Sequence, residues 1–257
     1  MTQGPRDYLY GGDFAAERAR LAGIEALWDP GSQSLLDELG LDAGWRCLEV
    51  GAGGGSLVNW MAGRGAAVTA VDIDTRFIDH LASESVDVRR LDIRSDDLPP
   101  GGFDLVHSRL VLEHLSDREN ILRKLAGALR PGGWIVIEDY EFSCYSLGDQ
   151  PYLDATVRAM GAVMEQAGFD RTFGRRVVDE LVAAGLTDVR GEGRTRIIDA
   201  QSPGFDFFKL SFESIRDAIV AAGGLSAADA EATAARFADQ SMRIFTPIVM
   251  AGIGRRS

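Results

Sequence analysis

The sequence predicts an α/β protein built on a doubly wound, mostly parallel sheet with a helical lid, and three observations carry that prediction. Apolar runs of strand length end at or near acids, at Glu49, Asp72, Asp92 and Asp139. Stretches with helical periodicity alternate with them at the pitch of βαβ units. A glycine-rich turn, Gly51-Ala52-Gly53-Gly54-Gly55, joins the first run to the helix after it.

The elements follow in order. Tyr8-Leu9-Tyr10-Gly11-Gly12 is too short and glycine-rich to stand alone. Asp13 can cap a helix over 14–28, where Leu21, Ile24, Leu27 and Trp28 recur at helical spacing. Pro30 suits the first position of a second helix, which Gly40 stops. A buried strand runs to Val50, a helix spans about 56–64, and a second buried strand covers Ala67 to Asp72. Thr75 opens another helix. Val86 to Asp92 is a more alternating third strand and Phe103 to Ser108 a fourth. Ser116 and Glu119 form a capping-box pattern ahead of Ile121, Leu122, Leu125 and Leu129. That amphipathic helix ends at Arg130-Pro131-Gly132-Gly133, and Trp134 to Asp139 is apolar enough to be a strand covered on both faces.

Beyond residue 141 the pattern becomes helical at about 151–168 and 174–184, then a strand at about 187–198. A helical stretch over 203–241 is split by Gly223-Gly224, with Ser226 as the next cap, and Ile244 to Arg255 is again strand-like. The expected organisation is an N-terminal helical cap over 1–45, a ligand-binding core over 46–198 and 243–257, and a helical lid inserted at 199–242.

Composition narrows the function. At 257 residues and 46% hydrophobic content the chain can bury one ordinary core with a small cap. A formal net charge of −12 argues against a nucleic-acid partner, which calls for a basic surface. No apolar run reaches the roughly 20 residues of a membrane span, and the polar N-terminus lacks a signal-peptide pattern, so a cytoplasmic protein with no membrane partner is expected. Cys47 and Cys144 have no metal-ligand spacing; both read as reduced, and no metal is expected. Paired helices at both ends are compatible with a homodimer.

The glycine turn departs from the dinucleotide fingerprint G-x-G-x-x-G, because Ser56 stands where the third glycine is wanted. Asp72 lies about 20 residues after Gly51, the distance at which a βαβ unit places an acid on ribose hydroxyls. It can also be read as a helix cap, a role open equally to Asp74.

Five segments in order, LEVGAGGGS, VDID, LDIRSDDLP, FDLVHSRLVLEHL and LRPGGWIVIED, cover residues 46 to 139 and together closely resemble the class I S-adenosylmethionine-dependent methyltransferases. The lid and composition are similar to those of bacterial small-molecule methyltransferases of secondary metabolism. The resemblance implies a seven-stranded Rossmann-like sheet, S-adenosyl-L-methionine as cofactor and a small-molecule methyl acceptor. It implies that Glu49 orients the turn or holds the cofactor's amino group, and that Gly51, Ala52 and Gly53 border the methionine moiety. Asp72 would take the ribose and Ile73 one adenine face, with Asp92 and Ile93 at the other edge of the base. Ser108 and Arg109 would reach the cofactor's amino-acid end. Arg109 departs from the small or amide residue often found there and could instead pair with an acid such as Glu113 or Asp139. The Asn/Asp-Pro-Pro-Tyr/Phe tetrad of methyltransferases acting on adenine or glutamine is absent; His107-Ser108-Arg109-Leu110 stands there.

Attack on a sulfonium methyl needs positioning and removal of water, and a base where the acceptor is an alcohol or a protonated amine. His114 and Asp139 are the candidate catalytic residues. His114 has the right ordinary pKa and follows the fourth strand, though it could equally be a histidine bonded between helix and loop. His107, inside a strand, reads as structural. Phe205, Phe207, Phe208, Phe212 and Phe237 could line an apolar acceptor pocket or form the lid's own core. Two other readings stay open: a non-catalytic protein that binds the same cofactor, and a nicotinamide-dependent oxidoreductase.

Overall fold

The computed structural model describes residues 14–99 and 101–257. The expectations for Tyr8–Gly12 and for Asp13 as a cap lie outside the described residues. Two compact units are present: one made of the chain up to Leu27, Phe142–Arg171 and Thr195–Ile248, the other of Trp28–Glu141, Thr172–Arg194 and Val249–Ser257.

The second unit carries the large sheet. Its strands are β1 (Arg46–Val50), β2 (Ala67–Asp72), β3 (Val86–Arg90), β4 (Phe103–Arg109), β5 (Leu129–Glu141), β6 (Thr187–Arg194) and β9 (Ile248–Arg255). They lie in the order β3-β2-β1-β4-β5-β9-β6. Strands β1 to β5 pair in parallel, and β6 pairs antiparallel with β9. This is the expected seven-stranded, doubly wound sheet. The strand order reverses between β1 and β4, so the crevice beyond their carboxyl ends is where such a sheet takes a ligand.

Both faces are covered, which explains why β2 and the Trp134–Ile137 part of β5 read as nearly continuous apolar runs. On one face Leu48, Val50, Val106, Ile135 and Ile137 pack with Ile121, Leu122 and Leu125 of α3 (Arg118–Ala128) and Val177 and Leu181 of α5 (Val177–Ala183). On the other, Cys47, Val68, Leu105 and Val136 pack with Leu35 and Leu36 of α1 (Phe14–Glu38) and Leu57, Val58 and Met61 of α2 (Ser56–Gly63).

Several local expectations change. One helix, α1, runs through Pro30, where two helices were expected. Proline removes one helical hydrogen bond, but Trp28, Asp29 and Ser32 around it are each tied to β4 or β5, and that anchoring holds the helix through the proline. Thr75 opens no α-helix; two short 3-10 turns, Thr75–Phe77 and Asp79–Leu81, take its place. There Ile78 and Leu81, three residues apart, both fill the space a Cβ on Gly55 would need, a spacing that suits the tighter helix. The capping box at Ser116 does not form: Asp117 stands at the cap position with its carboxylate on the Asn120 side chain, and α3 starts at Arg118. The Arg130–Gly133 turn is instead the start of β5, which is bulged against β4 near Phe103.

In the first unit, α4 (Pro151–Gln166), α6 (Phe205–Ala221) and α7 (Ala227–Phe237) accompany a two-stranded antiparallel ribbon of β7 (Ile197–Asp199) and β8 (Arg243–Phe245). The expected strand over 187–198 is therefore divided between two sheets. Phe212 stacks on Phe237, Phe205 meets Phe237 edge-on, and Phe207 meets Phe208; all five are buried, as core residues are. Thr156 and Thr233 share a buried hydroxyl–hydroxyl hydrogen bond of 2.8 Å between α4 and α7. Among the described residues no helix is long and apolar enough to cross a membrane.

Candidate active site

The turn after β1 is built from backbone. Gly51 and Ala52 donate to the Val71 carbonyl at 2.9 and 3.2 Å, which holds the turn against the end of β2. Gly51 has φ 72°, and a Cβ there would collide with the Val111 side chain. Gly55, with φ 85°, starts α2, and a Cβ on it would strike Leu81 and Ile78. Only glycine meets both conditions without strain.

Asp72 braces this turn. Its Oδ2 accepts the Gly53 amide at 2.9 Å and its Oδ1 the Asp74 amide at 2.9 Å. Burial pushes its carboxyl above the usual range, and those two amides pull in the opposite direction. Asp74, not Asp72, caps the 3-10 turn that follows, accepting from Arg76. Ile73 is 46% exposed, an apolar side chain left in the open beside an acid. Beyond β3, Asp92 is locked in a bidentate pair with Arg94 at 2.8 and 2.7 Å, whose guanidinium holds its carboxyl below the usual range. Ile93 is buried in the core.

A layer of charge lies directly below. Glu49 on β1 pairs in register with His107 on β4, so both side chains emerge on one face, toward α1 and α2. His107 Nδ1 lies 2.7 Å from Glu49 Oε2, and its Nε2 lies 3.1 Å from Glu138 Oε2 on β5. All three are buried. The same Glu138 oxygen accepts the Ser32 hydroxyl at 2.5 Å, and its other oxygen forms an ion pair with Arg194 of β6. Arg194 reaches it across Gly31 of α1, where any Cβ would collide with the guanidinium. Arg109 donates to Ser32 at 2.9 Å and pairs with Asp29 at 2.7 Å. Arg109 thus pairs with an acid, and that acid is Asp29 where Glu113 and Asp139 were the examples expected. Trp28 Nε1 donates to the Tyr140 hydroxyl at 2.9 Å, completing the seating of α1 on β5. Ser108 points to the other face and donates to the Val50 carbonyl at 3.1 Å.

The segment after β4 is pinned by acids. Leu110 adopts φ 57°, a left-handed conformation that is strained for a side chain of its size, and donates to the Glu138 carbonyl at 2.8 Å. Asp139 Oδ1 accepts the Val111 amide at 3.0 Å and the Glu113 amide at 3.4 Å. Its carboxyl is fully buried, and that burial pushes it up to about 8. Asp139 thus faces the loop, with no exposure to solvent. His114 is a quarter exposed, with Nε2 3.6 Å from a carboxylate oxygen of the buried Glu113. Among the described residues no cluster of three His, Cys, Asp or Glu side chains could hold a metal ion.

The bridging role of His107 and the docking segment Trp28-Asp29-Pro30-Gly31-Ser32 were not foreseen. Each had a signal: a histidine in mid-strand between two acid-bearing strands, and polar residues on an otherwise apolar helix.

The chain is similar to known proteins. A family model described as a methyltransferase domain matches residues 48–137. The ubiquinone biosynthesis O-methyltransferase of Chromobacterium violaceum is 35% identical over 124 residues, covering 46% of this chain and 51% of that protein. The chain thus spans about half the length of that relative. A protein of the same name from Pseudomonas syringae pv. tomato is 32% identical over 166 residues, covering 56% of this chain and 69% of that protein. Haemonchus contortus phosphoethanolamine N-methyltransferase 2, solved with phosphomonomethylethanolamine and S-adenosylhomocysteine, matches with a TM-score of 0.62 at 16% identity, over 99% of this chain and 60% of that one. That likeness is one of fold. On the matched domain, and on a relative of which it covers more than two thirds, the chain belongs to the S-adenosylmethionine-dependent methyltransferases.

Proposed function

We propose that the protein transfers a methyl group from S-adenosylmethionine to a small organic acceptor. The observation that carries this reading is the turn at Gly51–Gly55 braced by Asp72, next to the exposed apolar side chain of Ile73. The residues present fit the cofactor. The turn carries no side chain at Gly51, Gly53, Gly54 or Gly55, so a ligand can approach its backbone closely; Asp72 has lone pairs for ribose hydroxyls; Ile73 can cover an adenine face. Asp92, held ionised by Arg94, can accept from an exocyclic amine, and Glu49 can take an ammonium group. The backbone at Ala52 and Gly53 borders the methionine end. Ser108 and Arg109 support this site from below, through Val50 and α1 respectively.

Bound S-adenosylmethionine supplies an electrophilic methyl group on sulfur. The chain's own contribution is to orient the acceptor and to receive its proton. In this reading His114 is the base, with the Glu113 carboxylate beside it to stabilise the protonated ring. Asp139 is a positioning residue that fixes the backbone on which Glu113 and His114 stand. The relatives' names include both an O- and an N-methyltransferase, each acting on a small molecule by name. The net charge of −12 sets it apart from nucleic-acid substrates. Two free cysteines suit a reducing, cytoplasmic compartment.

The test is incubation with S-adenosylmethionine and fractionated small-molecule extracts, read by mass spectrometry. The reading expects a product heavier by one methyl group together with released S-adenosylhomocysteine. Cofactor binding without any such product would favour a non-catalytic cofactor-binding protein.

A further inference from the structure

We propose that His107 is a positioning residue for the cofactor: it holds the Glu49 carboxylate in place for the α-ammonium group of S-adenosylmethionine. The inference rests on the reading above, in which Glu49 meets that ammonium. A glutamate side chain turns about three bonds, and holding one in a single buried geometry requires a partner. Glu49 is 3% exposed and, among the described residues, receives one such contact, from His107 Nδ1 to Oε2 at 2.7 Å, which leaves Oε1 for a ligand.

The imidazole is itself fixed from behind, by Glu138 at 3.1 Å. Glu138 is held in turn by Ser32 and Arg194, and Arg109 reaches the same Ser32 from beside it on β4. The chain of contacts therefore runs from the cofactor-side acid through a rigid ring into a charged layer clamped by α1 and β6. A plain structural filler does not call for this. The neighbouring layer, Cys47, Leu105 and Val136, covers the same strands with apolar side chains alone. Each ring nitrogen faces a carboxylate oxygen, so the imidazole bridges two buried acids. An ammonium group arriving at Glu49 adds a positive charge at one end of that bridge, and the ring will register it.

Two conservative variants separate the two ends. The amide nitrogen of His107→Asn takes the place of Nδ1 and keeps the Glu49 contact; that of His107→Gln takes the place of Nε2 and keeps only the Glu138 contact. Calorimetry on the full chain would use S-adenosylhomocysteine, which carries the α-ammonium, and 5′-methylthioadenosine, which lacks it. We expect His107→Gln to bind S-adenosylhomocysteine about tenfold more weakly than wild type, the loss of one charge-assisted hydrogen bond, and His107→Asn within about threefold. Both should bind 5′-methylthioadenosine as wild type does. Equal weakening by both variants, equal losses for both ligands, or no weakening in His107→Gln would overturn the proposal and leave a structural role. Wild type that binds neither ligand would overturn the cofactor reading itself, and the inference with it. Should a variant fail to fold, the imidazole 15N resonances of wild-type His107 decide: S-adenosylhomocysteine should shift them and 5′-methylthioadenosine should not, and an identical response to both contradicts the proposal.

Discussion

Asp139 and Glu113 pin each other's backbone: Asp139 Oδ1 accepts the Glu113 amide at 3.4 Å, and Glu113 Oε2 accepts the amide of Tyr140, the residue after Asp139, at 2.6 Å. The exchange fixes the segment after β4 to the end of β5. It places two buried acids against one another, with the Arg118 guanidinium donating to the Leu112 and Glu113 carbonyls at 2.9 Å each.

A pH dependence of stability follows. Burial pushes the Asp139 carboxyl up from 3.8 to about 8, so the native state keeps its proton where the unfolded chain has lost it. The contribution is fully present below the unfolded value and falls as pH rises from about 4 to about 8, by at most about 1.4 kcal/mol per pH unit. Asp139→Asn retains an oxygen for the two amides and loses the titration. Thermal melts across that range should fall more steeply for wild type than for Asp139→Asn; parallel curves would contradict the assignment.

Gly51→Ala combines a collision with Val111 and a left-handed φ. It should destabilise the protein by about 2 to 4 kcal/mol in urea unfolding, as overpacking and backbone strain together do. Adding Val111→Ala should restore the steric part only. Full recovery in the double variant would mean that the backbone conformation carries no cost.

His114→Gln is expected to lower kcat by about 100-fold with an acceptor whose attacking atom must lose a proton, while the affinity for S-adenosylhomocysteine stays at the wild-type value. A change in cofactor affinity with kcat preserved would place His114 on the cofactor side of the site.

Much of the fold was legible because it depends on local pattern. β1, β2 and β5 are buried on both faces and announce themselves as apolar runs, and the glycines after Val50 mark a turn whose φ values no other residue adopts easily. What stayed hidden depends on tertiary pairing. Pro30 signals a helix break, yet the anchoring of Trp28, Asp29 and Ser32 to β4 and β5 overrides it. Ser116 and Glu119 match a capping pattern, but Asp117 is nearer the helix and engages Asn120. The partners of His107 and Arg109 could not be named without the register of β1, β4 and β5, since a shift of one residue would turn these side chains to the opposite face. Asp139 looked like an active-site acid because it ends a strand; its burial under the loop it binds is invisible at that level.

The central claim is that the glycine turn and Asp72 together hold S-adenosylmethionine, and titration calorimetry tests it most directly. Wild type should bind S-adenosylhomocysteine, and Asp72→Ala, which removes both the ribose acceptor and the brace on Gly53, should bind at least about tenfold more weakly. No binding by wild type, or equal binding by a folded Asp72→Ala, would contradict the account.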